Sequence, residues 1–174
     1  MKELPPEIIH QYYAKGSWSD YFVNILKEVS ERASCLRRKV GAIAVADRRI
    51  IATGYNGTPS GIAHCEKVGC LRIEKHVPSG ERHEICRAVH AEQNLIIQAA
   101  KFGVPLVDTD IYCTHLPCFI CFKMLVNCNV RSIYFLEGYP DDMTLDMYAS
   151  NIASLPSLIR LQPEESYGKM KNDD

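Results

Sequence analysis

The sequence predicts an α/β domain in three layers, with helices on both faces of a mixed sheet of about five strands. Runs rich in β-branched residues alternate along the chain with segments of helical period, which is how helices that pack on a sheet are written. At 174 residues the chain is long enough to bury a substantial core, and with no internal repeat it reads as one domain.

The elements follow in order. In "SWSDYFVNILKEVSERAS", Ser19 is a plausible N-cap, and Tyr21, Phe22, Ile25, Leu26 and Val29 fall at helical spacing. "KVGAIAVADRRIIATGYN" gives two strands of a hairpin, turning near Asp47 and Arg48. Residues 57–89 show neither period. "AEQNLIIQAAKF", from Ala91 to about Phe102, is a helix stopped by Gly103 and Pro105. "DIYCTH" is a short strand, "PCFICFKMLVNC" a helix with proline in its first turn, and "VRSIYFLE" another strand. "DDMTLDMYASNIASL" is a last helix and "SLIRLQP" a last strand. The charged tail, from about residue 163 to 174, has little to bury and is read as loose.

Composition narrows the function classes. A net charge of -1 argues against a protein that grips a polynucleotide backbone, which shows a basic surplus. A single phosphate on a small ligand stays within reach of one or two basic side chains. "MKELPPEIIHQYY" lacks the apolar core of a secretory leader, and no stretch approaches membrane-spanning length, so a cytoplasmic protein without a membrane partner is expected. Eight cysteines in a reducing compartment point to metal or catalysis rather than to a disulfide framework.

"THLPCFIC" places Cys118 and Cys121 at i and i+3 at the start of a helix that follows a strand. The free N–H groups and positive dipole end there favour thiolate. Alone, the pair fits a redox centre, half a zinc site, or two inert core thiols. "CRAVHAEQN" upstream supplies His90 at the mouth of another helix, with Glu92 two residues later. A histidine and two thiolates are three zinc ligands, and the metal has room for a fourth. With water there, zinc brings its ionisation toward neutral pH. Glu92 is too close to His90 in sequence for both to ligate, and is placed to move protons. Neither a redox pair nor a closed structural site needs such a carboxylate. His-x-Glu followed by Pro-Cys-x-x-Cys matches the signature of zinc nucleobase deaminases.

The resemblance extends beyond that signature. "GYNGTPSG", "HCEKVGC", "PSGERHEICRAVHAEQN" and "THLPCFIC" together resemble the deoxycytidylate (dCMP) deaminase family, including bacterial and archaeal forms once described as competence-operon proteins. The match covers most of residues 17–140. It implies a cytidine-deaminase-like fold and zinc-dependent hydrolysis of dCMP to dUMP and ammonia, the dUMP feeding thymidylate synthesis. It also implies a homo-oligomer, often a hexamer, activated by dCTP and inhibited by dTTP in many members. In the implied site, His90, Cys118 and Cys121 hold zinc, Glu92 shuttles protons, and the Ala91 backbone N–H bonds the base carbonyl. Asn56 matches a family residue near base and sugar, although Asn-Gly is also an ordinary turn signal. Tyr139 falls at a family position near bound nucleotide, although an aromatic at a strand end is usually packing.

Residues 57–89 form a cysteine-bearing insertion, and a segment that long without regular structure needs function or a cross-link to order it. Some members of the resembled family hold a second, structural zinc here. Cys35 and Cys65 match two of its ligands, to be completed from Cys70, His83 and Cys86. Free thiols or a disulfide are the alternative. Cys113 and Cys128 are read as packing. Arg72, Lys75, Arg82, Arg87 and Lys101 lie near the site in sequence, but a charge cluster is more often a solvated face, and none is assigned to a phosphate. Two other readings share part of the signature: an RNA deaminase of the tRNA-adenosine type, and a non-catalytic zinc scaffold.

Overall fold

A computed structural model describes residues 4–139 and 142–164. The expected loose tail lies almost wholly outside the described residues. Six strands form one mixed sheet, in the order β1-β6-β5-β4-β2-β3. They are β1 (Ile9–Tyr13), β2 (Gly41–Ala46), β3 (Arg49–Tyr55), β4 (Asp110–His115), β5 (Ser132–Glu137) and β6 (Ser157–Pro163). β2 pairs antiparallel with β3 and β4, while β4, β5, β6 and β1 run parallel to one another.

The sheet has one strand more than the five expected, and the addition is β1. It lies at an edge and pairs with β6 alone. Ile9 and Tyr12 are about half exposed or more, so the period of two that marks a half-buried strand is absent. Ile8 and Tyr13, at its two ends, anchor it in the core.

Alternation along the inner strands sends side chains to two cores. Ala42 and Ala44 face one way, Ile43 and Val45 the other. The second face is covered by α1 (Trp18–Glu31) through Phe22, Val23 and Leu26. The first is covered by α4 (Ala91–Phe102), α5 (Phe119–Asn127) and α6 (Asp142–Asn151), through Leu95, Phe122, Leu125, Leu145 and Tyr148. This is the predicted three-layer arrangement. The β2–β3 turn falls where expected, with Asp47 and Arg48 both in the left-handed region, as a two-residue hairpin of this twist requires.

Two helix starts differ from expectation. α1 is capped by Ser17, whose Oγ accepts from the Asp20 N–H at 3.1 Å, while Asp20 Oδ2 accepts from the Gly16 N–H at 2.9 Å. Ser19, expected as the cap, sits inside the first turn. The acid three places after the capping serine thus ties the helix start to the residue before the cap. α5 begins at Phe119, so Cys118 is its cap and Pro117 lies outside the helix.

The insertion is not featureless. It holds two single-turn helices, α2 (Cys65–Val68) and α3 (Leu71–Glu74), and a 3₁₀ turn at His83–Ile85. One turn is too short to display a period. Gly57 and Val89 exchange backbone hydrogen bonds at 3.1 and 2.9 Å and bring the two ends of the loop together. Among the described residues, no helix is long and apolar enough to cross a membrane.

Candidate metal centre

Two helix N-termini meet beyond the end of β4. His90 caps α4 in an extended conformation, and its backbone N–H donates to Gln93 Oε1 at 2.9 Å. Cys118 caps α5, also extended, and Cys121 sits in the turn that follows. The segment between β4 and Cys118 is fixed at both sides. Leu116 N–H donates to the Glu137 carbonyl at 2.8 Å, and Thr144 Oγ1 donates to the Pro117 carbonyl at 3.3 Å.

His90 Nδ1 lies 3.4 Å from Cys118 Sγ and 3.5 Å from Cys121 Sγ. Zinc bound at about 2.0–2.1 Å from nitrogen and about 2.3 Å from sulphur, with tetrahedral angles, needs nitrogen–sulphur separations of about 3.5 Å. The donor set therefore fits zinc in both chemistry and spacing. Among the described residues this is the one group of three metal-ligating side chains with atoms this close together.

The electrostatics favour a bound cation. Cys118 is held well below the ordinary thiol range, chiefly by a hydrogen bond from Cys121, with His83 and His90 adding to it. Glu92 is almost wholly buried, and burial pushes its carboxyl above the ordinary range, with the negative charge of Cys118 adding to the rise. It lines the same cavity as His90, Ala91 and Cys118.

The substrate candidates fall around that cavity. Ala91 is the first residue of α4 and fully buried. Asn56 spends one amide N–H on the Arg38 carbonyl at 2.9 Å and accepts from Val40 N–H at 2.8 Å, bracing the chain on either side of Lys39. Tyr139 also lines the cavity, with its hydroxyl 3.0 Å from His83 Nε2 and its ring beneath the Arg38 guanidinium.

The five second-site candidates divide. Cys35, Cys65, Cys70 and Cys86 all line the cavity, and the charges of the other three push the buried Cys65 thiol further up after burial itself. His83 stands apart from them. Its ring meets that of His90 edge to face at 4.9 Å, and its Nε2 lies 3.0 Å from the Tyr139 hydroxyl. Cys113 is buried in the core and Cys128 packs beside it, as expected. Sequence reasoning left Arg72 unassigned among several basic residues, yet it is buried and lines the cavity. The turn of helix that carries it gives no periodic signal.

Residues 16–137 match the cytidine and deoxycytidylate deaminase zinc-binding region. The chain belongs to that family. Among relatives, it is 41% identical to ComE operon protein 2 of Bacillus subtilis over 123 residues, which is 71% of this chain and 61% of that protein. It is 32% identical to the deoxycytidylate deaminase of Schizosaccharomyces pombe over 128 residues, 74% of this chain and 39% of that one. The chain thus spans less than two thirds of either relative. A crystal structure of dCMP deaminase from the cyanophage S-TIM5, in complex with dCMP and dUMP, superposes with a TM-score of 0.62 at 26% identity. That match covers 87% of this chain and 99% of the phage chain. His90, Cys118 and Cys121 form the zinc site of this deaminase-family chain.

Proposed function

We propose that the protein hydrolyses dCMP to dUMP and ammonia, a reaction that supplies dUMP for thymidylate synthesis. The observation that carries this reading is Glu92, a buried carboxyl held above its ordinary range beside a His/Cys/Cys set spaced for zinc. Likeness to the deoxycytidylate deaminases supports dCMP as the substrate.

Zinc bound by His90, Cys118 and Cys121 would supply Lewis acidity and bring the ionisation of water toward neutral pH. Glu92, as carboxylate, takes a proton from the attacking water. As acid, it returns that proton to the ring nitrogen of cytosine and assists departure of ammonia. A raised carboxyl pKa suits a group that must do both. The Ala91 N–H, at the first position of α4, has no partner within its own helix and is free to bond the base carbonyl. Asn56 keeps one N–H and one lone pair beyond its two backbone bonds, available to base or sugar. Tyr139, held by His83, forms part of the nucleotide-facing wall.

The test is a panel of dCMP, CMP, deoxycytidine and dCTP given to zinc-loaded protein, with ammonia release recorded. Turnover is expected to be strongest on dCMP. Silence on all four at full zinc loading would sink this reading and favour an RNA substrate or a zinc scaffold.

A second zinc, held by Cys35, Cys65, Cys70 and Cys86, belongs to the same proposal. Its support is that all four line one cavity and that the other three act electrostatically on Cys65. Elemental analysis should give two zinc atoms per chain, and a reproducible value of one removes the second site. A cytoplasmic homo-oligomer, a hexamer, responding to dCTP and dTTP completes the reading. Sedimentation with each nucleotide checks it, and a monomer unmoved by either would refute that part.

A further inference from the structure

Arg72 lies on α3 within the insertion and is 7% exposed. One Nη donates to the Pro78 carbonyl at 3.2 Å, and the guanidinium lies near the Tyr139 hydroxyl. Its Nε is buried with no hydrogen-bond partner. Among the described residues, no carboxylate forms an ion pair with it. A guanidinium cannot shed its proton to escape this cost, so an anion is the natural complement.

The surroundings show where such an anion would sit. Arg72, Arg37, Arg38 and Ser79 line the cavity that contains Glu92 and Cys118, and the same four also line a shallow depression next to it. Glu92 is the one carboxylate among the residues lining the cavity. Arg37 spends Nη1 on the Val77 carbonyl at 2.9 Å, and Arg38 lies over the Tyr139 ring at 5.3 Å. Arg72 Nε is the buried donor left over.

We propose that Arg72 determines substrate specificity by binding the phosphate monoester of the nucleotide through its guanidinium. Arginine suits this because its fork of N–H groups matches phosphate geometry. The inference rests on the nucleotide-deaminase reading above. It explains how a near-neutral chain selects a charged substrate: one desolvated cation near the reacting base, rather than a basic surface. The competing role for Arg72 is structural, bracing the loop after α3 through its bond to the Pro78 carbonyl.

The experiment compares zinc-loaded wild type, Arg72→Gln and Arg72→Lys on dCMP and on deoxycytidine. Arg72→Gln is expected to lower the ratio of kcat/KM for dCMP to that for deoxycytidine by about 10- to 100-fold, with the loss appearing in KM for dCMP. Arg72→Lys keeps the charge without the fork and should fall between the two. Calorimetry with inorganic phosphate reads the same contact without turnover, and wild type should bind at least about tenfold more tightly than either variant. Equal losses on both substrates, an unchanged ratio, or loss of zinc in step with loss of activity would overturn the proposal and favour the structural role. Should Arg72→Gln fail to fold, the lysine variant and phosphate binding to wild type still decide it. A wild type that binds phosphate through Arg72 yet deaminates neither compound contradicts the proposed function instead.

Discussion

A β-carbon added to Gly54 would lie 2.2 Å from the carbonyl oxygen of Ala91 and 2.5 Å from the backbone nitrogen of Leu95. β3 and the start of α4 are therefore in backbone contact at the turn that carries Glu92 and follows His90. Both clashes are with backbone, which cannot swing aside as a side chain would. Gly54→Ala is expected to destabilise the protein by roughly 1–3 kcal/mol and to lower zinc affinity, because the helix must shift. Gly138→Ala, where an added β-carbon meets nothing within 4 Å, should stay within about 0.5 kcal/mol of wild type. Urea unfolding of the two variants checks this, and equal midpoints would contradict it.

The capping of α1 can be tested in the same way. Ser17→Ala removes the acceptor of the Asp20 N–H and should cost about 1 kcal/mol. Ser19→Ala should cost less than about 0.5 kcal/mol, since Ser19 lies inside the helix, where alanine is favoured. Reversal of that order would restore Ser19 as the cap.

Glu92 gives the metal-free protein a pH dependence whose sign is fixed. Burial holds its folded pKa above the value of 4.5 for a free carboxyl. The folded state thus binds the proton more tightly than the unfolded chain does. The resulting stability is fully present below the unfolded value and is lost as pH rises through the folded one. Urea midpoints of metal-free wild type, measured near pH 5 and near pH 8, should fall further with rising pH than those of Glu92→Gln. Parallel curves would show that Glu92 is not held protonated by the fold.

What the sequence made legible follows from the length and burial of each element. α4 was readable from end to end because twelve residues carry a helical period and Gly103, in the left-handed region, ends it. His90, Cys118 and Cys121 were readable because their spacing in sequence follows from their places on two helix starts. β1 was not, since its exposed edge erases the alternation. His83 was grouped with the cysteines of the insertion because the sequence shows only that it lies between Cys70 and Cys86, whereas in the fold its ring meets that of His90. Arg72 was hidden among four other basic residues, and only burial distinguishes it.

In the proposed reaction, Glu92 moves protons for deamination at a zinc that His90, Cys118 and Cys121 would hold. The most direct test is the rate of ammonia release from dCMP by wild type and by Glu92→Gln, at zinc contents shown to be equal. Glutamine keeps the shape of the side chain but cannot shuttle a proton, so the variant should retain its zinc and lose about 10²–10⁴-fold in kcat. A variant that releases ammonia at the wild-type rate would contradict the claim.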